Sequence, residues 1–238
     1  MIRAVGVVIP VHDEEVLLAA CLETVATACR TLPADVESRI VVVLDACSDG
    51  SASIAERFAD AGVVTVVVDY ENVGRVRRAG VAHVLQHFAG VCLEEVWIAT
   101  TDADSVVPPG WLREHLAVAE TGADAVAGTI RVDDWGTYPA ARARAFDEFY
   151  TAETDGDEHG HIHGANLGVR ADAYVAARGF CALETGEDHS LFRELRRAGK
   201  KVVSTRRLWV ATSARTTGRA PHGFSEFLRD FAQGNEAP

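Results

Sequence analysis

The feature that most constrains this chain is a rhythm. Through its first half, short apolar runs alternate with segments of helical period. The runs are "AVGVVIP" (Ala4 to Pro10), "RIVVVLDA", "VVTVVVD" and "VWIATTD". Between the first two lies "EEVLLAACLETVATACRTL", with Leu17, Cys21, Val25 and Ala28 on one helical face. "SDGSASIAERFADAG" opens with turn and cap residues and closes at Gly62, and "GRVRRAGVAHVLQHF" reads as a further helix. "PPGWLREHLAVAETG" has Pro108 and Pro109 near its first turn and Gly122 at its end. Strands alternating with covering helices predict an α/β fold, a mostly parallel central sheet flanked by helices.

After Gly122 the rhythm changes. A strand over "ADAVAGTIRV", a helix from Pro139 to Tyr150 and a polar, glycine-rich loop "ETDGDEHGHIHGANLGVR" entering a short strand are expected. A helix from about Glu187 to Ala198, a strand pair within Lys201 to Ser213 and a terminal amphipathic segment "PHGFSEFLRDF" follow. We read residues 1–238 as one domain: a nucleotide-type half, 1–122, and an irregular substrate half, 123–238, ending in a mobile segment.

Bulk properties narrow the function. With 48% apolar and 24% charged residues the chain has ample material for a core. A net charge of −12 repels a phosphate backbone, so nucleic acid is not an expected partner. Basic residues are nevertheless bunched in "GRVRRAG", "RELRRAGKK" and "STRRLWVATSARTTGR", patches that suit a small anionic ligand. No apolar run approaches the roughly 20 residues of a membrane helix, and the N-terminus lacks a signal-peptide pattern. A cytoplasmic location without a transmembrane segment is expected. Five cysteines without a CxxC pair predict neither a disulfide nor a zinc–thiolate site.

The chemistry centres on "VWIATTDADSVVPPGW". In an extended chain Asp102 and Asp104 point to the same side, and at the carboxyl end of a parallel strand they face the edge where open α/β sheets bind ligands. A hard divalent cation answers the repulsion between such neighbours. Three more polar clusters follow predicted strands: "IPVHDEE", "LDACSDGS" and "DYENVGRVRRAG". All four fall on one edge and outline one pocket. The first strand leads to "PVHDEE" and not to GxGxxG, which argues against a Rossmann dehydrogenase.

In this order the clusters resemble the family 2 glycosyltransferases, whose GT-A fold binds nucleotide sugars and carries a metal-coordinating DxD. "IPVHDEE" is similar to the family's first-strand motif. "VVLDACSDGS" is similar to its second, with Leu44 in place of the first of two usual aspartates and Asp45 keeping the second. "ENVGRVRRAG" resembles its asparagine-glycine-arginine segment, "TTDADS" its DxD, "HGANLGVRADAY" an acceptor-side motif and "TGEDHSLFRELRRAG" its ED motif. The resemblance spans Val7 to about Gly199.

It implies that Pro10, His12, Glu14, Asp45, Asn72, Gly74, Arg75 and Asp102 bind the nucleotide-sugar donor. Asp104, with Asp102, would coordinate Mg²⁺ or Mn²⁺ bridging the diphosphate. Asp188 would be the general base of an inverting transfer to an acceptor hydroxyl, with Glu187 orienting the acceptor beside His163, Gly164 and Asn166. His222, late in the chain, would be a further metal ligand, and Arg215 and Arg219 would grip the diphosphate. The acceptor would be a small molecule, or a lipid if "GFSEFLRDF" touches a membrane. Two other readings stand beside this one: a nucleotide-sugar-binding protein without transferase activity, because of Leu44, and a metal-dependent hydrolase or oxygenase, because His159, His161 and His163 form an HxHxH pattern.

Overall fold

The computed structural model describes residues 1–136, 138–152, 154–183 and 185–215. Its strands are β1 (Ala4–Val11), β2 (Glu37–Asp45), β3 (Val63–Val68), β4 (Val96–Thr100), β5 (Ser105–Val106), β6 (Ala125–Arg131), β7 (Thr154–Asp155), β8 (Glu158–His159), β9 (Leu167–Arg170) and β10 (Val202–Thr212). The helices are α1 (Leu18–Arg30), α2 (Ser51–Glu56), α3 (Val73–His87), α4 (Trp111–Glu120), α5 (Ala140–Ala152), α6 (Ala171–Ala176) and α7 (Glu187–Arg197).

Eight strands form one sheet in the order β3-β2-β1-β4-β9-β6-β10-β5, and β7 pairs with β8 separately. β1, β2, β3 and β4 are parallel to their neighbours among themselves, as β6 is to β10. β9 runs antiparallel to both β4 and β6, and β5 antiparallel to β10. The expected mostly parallel sheet is therefore present.

Strand periodicity explains the layers. Val5, Val7, Ile9 and Val11 of β1 face one core with Leu18, Leu22 and Val25 of α1 and Trp111 and Leu112 of α4. Ala4 and Val8 face the other, with Val76, Val81 and Val84 of α3 and Leu191, Phe192 and Leu195 of α7. β2 divides likewise, Ile40, Val42 and Leu44 against Val41 and Val43. A strand buried on both faces reads as a continuous apolar run because alternate residues serve opposite layers.

Two local expectations are corrected. The segment read as a strand pair is the single strand β10, whose register against β6 shifts between Thr205 and Trp209. The exposed Arg206 and Arg207 lie in that irregularity, where Asp157 Oδ1 accepts the Arg206 amide hydrogen. Nor does the extended conformation persist through Asp102 and Asp104: β4 ends at Thr100, and Ser105 N donates to Asp102 O at 3.1 Å, closing a turn. The segment read as "PHGFSEFLRDF" lies outside the described residues. Among the described residues no helix is long and apolar enough to cross a membrane.

Candidate active site

The carboxyl ends of the first three strands share a backbone signature. Asp13, Ala46 and Glu71, just beyond β1, β2 and β3, have φ of 53°, 49° and 47°. Left-handed conformations outside glycine persist only where the surroundings impose them, and they gather at binding sites. Carboxylates brace the turns beside them. Asp13 Oδ1 accepts the amides of Ser48 (2.7 Å) and Asp49 (3.2 Å), bonds that hold its carboxyl below the ordinary range. Asp45 Oδ1 accepts those of Tyr70 (2.6 Å) and Glu71 (3.2 Å). His12 Nδ1 donates to Asp45 O at 2.7 Å, and Glu14 N donates to Ser51 Oγ at 2.8 Å.

The expected donor residues thus divide. Pro10, His12, Glu14 and Asp45 sit at this edge, and the Arg75 guanidinium lies 4.2 Å over the ring of Tyr70. Tyr70 was not singled out from sequence; an aromatic ring just past a strand end, in "DYEN", was the available signal. Asn72 and Gly74 turn toward the protein. Asn72 caps α3, accepting the Arg75 amide at 3.0 Å, while its Nδ2 donates to Leu183 O at 3.0 Å. A Cβ on Gly74 would stand 2.0 Å from the Cys181 carbonyl oxygen, so glycine there admits the loop that leads to α7.

Asp102 and Asp104 are held by different cations. Arg77 of α3, unassigned in the sequence reading, donates from Nη2 to Asp102 Oδ1 (2.6 Å) and from Nε to Glu187 Oε1 (3.1 Å). Its side chain is 3% exposed, against 7% for Glu187 and 37% for Asp102. Burial pushes the Glu187 carboxyl up, and the Arg77 charge offsets this only in part. Burial acts to lower the Arg77 pKa, but Asp102 and Glu187 together raise it, so the guanidinium stays charged.

A second path joins the same elements. Thr100 Oγ, at the end of β4, donates to Gly164 O at 2.6 Å, and Gly164 N donates to Asp188 Oδ2 at 2.7 Å. His189 N donates to Asp188 Oδ1 at 2.7 Å. A Cβ at Gly164 would lie 2.5 Å from Arg77 Nη2, so the glycine makes room for the guanidinium. Asp102 and Asp188, 86 positions apart in the chain by their numbers, are connected through Arg77 with Glu187 on one side and Thr100 with Gly164 on the other.

The remaining acceptor-side residues are less free. Asn166 is fully buried: Oδ1 accepts from Trp111 Nε1 (2.9 Å), and Nδ2 donates to Thr129 O (2.8 Å) and Leu208 O (3.1 Å). Its side chain braces α4, β6 and β10 from within. His163 Nε2 lies 2.9 Å from the Tyr150 hydroxyl, and burial pushes its pKa down to about 3, leaving the ring neutral.

Asp104 faces Arg215, which follows β10. Nη2 of Arg215 is 3.0 Å from Asp104 Oδ2, and Nη1 is 2.6 Å from Glu14 Oε1. The side chains of Glu14, Asp104 and Arg215 are 7%, 11% and 28% exposed. Burial, with the Asp102 charge second, pushes the Asp104 pKa up to about 6 despite Arg215. Five carboxylates, Glu14, Asp102, Asp104, Glu187 and Asp188, face the two guanidinium groups of Arg77 and Arg215. Hard carboxylate oxygens in excess of the cations beside them are a donor set that suits Mg²⁺ or Mn²⁺. His222 and Arg219 lie outside the described residues.

Other metal readings find less support. His159, His161 and His163 do share a face, but as a stack, with ring centroids 5.7 and 5.9 Å apart and planes within 26° and 17°. Stacked rings do not converge their nitrogens on one ion, and His161 Nε2 is engaged with Tyr150 O at 3.0 Å. Among the described residues, the trio with ligand atoms within 4.8 Å of one another is Asp13, Cys47 and Asp49, and Asp13 is already committed to two amides.

The curled, mostly parallel sheet with polar groups gathered on its carboxyl edge is the GT-A architecture of glycosyltransferases. S. aureus TarS in complex with UDP-GlcNAc superposes with a TM-score of 0.69 at 13% identity, over 92% of this chain and 61% of that one. The mannosyltransferase PcManGT from Pyrobaculum calidifontis, in complex with GDP-Man and Mn²⁺, gives 0.62 at 20% identity over 90% and 58%. At the level of sequence, the profile of glycosyl transferase family 2 matches residues 6–176, and the chain belongs to that family. It is 32% identical over 144 residues to the undecaprenyl-phosphate 4-deoxy-4-formamido-L-arabinose transferase of Serratia proteamaculans, and 37% identical over 133 residues to that of Pseudomonas fluorescens. The matches cover 59% and 55% of this chain but 42% and 36% of those proteins, so the chain spans less than half the length of these relatives.

Proposed function

We propose that this chain is a metal-dependent glycosyltransferase that moves a sugar from a nucleoside-diphosphate sugar to an acceptor hydroxyl with inversion, residues 1–122 holding the donor and 123–238 the acceptor. The observation that carries the reading is the pair of connections placing the Asp188 carboxylate in fixed relation to Asp102. A donor-side aspartate and an acceptor-side base must be held at one separation for in-line displacement, because misplacement of reacting groups is costly in rate.

Asp45 and His12, joined by a hydrogen bond, would meet the base or ribose, and Tyr70 with Arg75 would offer a flat cationic surface. Asp104 and Asp102 would hold Mg²⁺ or Mn²⁺, with His222 a further candidate; bound there, the ion would neutralise charge developing on the departing diphosphate. Asp188, oriented by the amides of Gly164 and His189, would take the acceptor proton. Glu187, buried against Arg77, keeps that guanidinium in place and so positions both sides.

A second reading of the acceptor comes from the curated relatives, whose names specify undecaprenyl phosphate. A phosphate oxygen is already ionised and needs no base. One experiment separates the two: nucleoside-diphosphate release from UDP-, GDP- and dTDP-sugars with Mn²⁺, offering soluble sugars or undecaprenyl phosphate in detergent. Under the hydroxyl reading Asp188→Asn keeps donor binding and loses transfer. Full transfer to the lipid phosphate by that variant would favour the second reading, and no release under any condition would refute both.

A further inference from the structure

The acidic edge is closed by two guanidinium groups of different character. Arg77 projects from the body of α3, is 3% exposed, and is braced by Glu187 as well as Asp102. Arg215 follows the last strand, is 28% exposed, and spans two carboxylates from distant parts of the chain, Glu14 and Asp104. Among the described residues, five carboxylates, Glu14, Asp102, Asp104, Glu187 and Asp188, face these two cations.

We propose that Arg215 is an internal cation that occupies Asp104 of the metal-binding pair in the ion-free protein, and that a divalent ion must displace it from there, so that Arg215 sets the affinity of the site for metal. The inference rests on the metal reading of the proposed function and adds a competitor to it.

The geometry is that of a stand-in. Each terminal nitrogen of the guanidinium meets one carboxylate, at 2.6 and 3.0 Å, so a single positive charge bridges two nearly buried anions. A divalent ion held by Asp104 and Asp102 brings two charges where Arg215 brings one to Asp104, and it does not require the bridging fork. Each guanidinium keeps one buried nitrogen without a hydrogen-bond partner, Nε in Arg215 and Nη1 in Arg77, so it is exposure, 28% against 3%, and anchoring that separate them. Arg77 lacks the means to leave, since its helix, Glu187 and the close packing of Gly164 fix it. Of the two cations, Arg215 is the one a metal can remove. Once displaced, it is a free guanidinium beside the ion, placed to meet the diphosphate that arrives with it.

The test is Mn²⁺ titration of the metal-free, full-length protein by calorimetry, without donor, in wild type, Arg215→Gln and Arg215→Lys. The fork is lost in both variants and the charge in only one. Arg215→Gln is expected to bind Mn²⁺ at least about tenfold more tightly than wild type, the scale of one charge-assisted hydrogen bond, and to show a larger Mn²⁺-induced rise in Tm. Arg215→Lys should fall between them. Unchanged or weaker Mn²⁺ binding in Arg215→Gln, with the wild type still binding, would overturn the inference and leave the metal reading intact. If neither protein binds Mn²⁺, even with UDP or GDP present, the metal reading fails and this inference with it. Thermal unfolding of each apoprotein identifies a variant that is simply misfolded, and Arg215→Lys then carries the comparison.

Discussion

Replacing Arg77 by methionine keeps the volume of the side chain and removes its charge. Two carboxylates are then left, in unequal surroundings. Glu187, 7% exposed, becomes a buried anion without its counter-ion, whereas Asp102, 37% exposed, is largely relieved by solvent. Breaking one side of a buried ion pair costs about 3–5 kcal/mol, and nearly all of that falls on Glu187. The cost is limited by protonation. Glu187 already has a raised pKa, chiefly from burial, and loss of Arg77 raises it further, so the folded variant holds this proton more tightly than the unfolded chain. The penalty is thus relieved at low pH and grows as pH rises through the new pKa. Urea unfolding at pH 5 and pH 8 reads this directly: Arg77→Met should lose about 3–5 kcal/mol relative to wild type at pH 8 and clearly less at pH 5. Arg77→Met combined with Glu187→Gln should recover most of the loss. A penalty below about 1 kcal/mol, the range of a surface pair, or one that neither falls at low pH nor yields to the double change, would refute the coupling.

Three further outcomes follow from the same geometry. Burial raises the Asp104 pKa to about 6 from an ordinary 3.8, so the group favours folding below about pH 4 and this contribution, about 3 kcal/mol at most, is lost as pH rises through 6; in metal-free Asp104→Asn that part of the pH–stability profile should flatten, and an unchanged slope against wild type would contradict the assignment. His163 behaves oppositely, since burial lowers its pKa to about 3: its contribution is present above pH 6.5 and lost as pH falls, and His163→Gln should blunt acid unfolding measured by circular dichroism. Asn166→Ala should cost about 2 kcal/mol or more in urea unfolding, because the Trp111 indole and two carbonyls lose buried partners, while the acceptor KM of the remaining folded enzyme stays near wild type; a selective rise in KM would return Asn166 to direct acceptor contact.

Much of the fold was legible in advance. The strand runs from Ala4, Arg39, Val63 and Val96 correspond to β1 to β4, because alternate residues of a doubly covered strand are apolar on both faces. The helix of "GRVRRAGVAHVLQHF" was visible in its period, and the position of Asp102 and Asp104 just beyond a parallel strand in the order of motifs. Less visible was the irregular half. β10 looked like two strands because its register shift interrupts the alternation with Arg206 and Arg207.

By itself the sequence determined the layers, the edge on which polar groups gather and the family to which the chain belongs, since all three follow from local periodicity and motif order. Tertiary structure alone decided the partners. Arg75 stood out beside the glycine motif, yet Arg77 meets Asp102, 25 residues away, and Glu187, 110 away; Arg215 meets Glu14 across 201. Asn166 proved to be an interior brace and Asn72 a helix cap for the same reason. Which carboxylate receives which cation depends on a few tenths of an ångström and on burial, and both arise only when distant segments pack together.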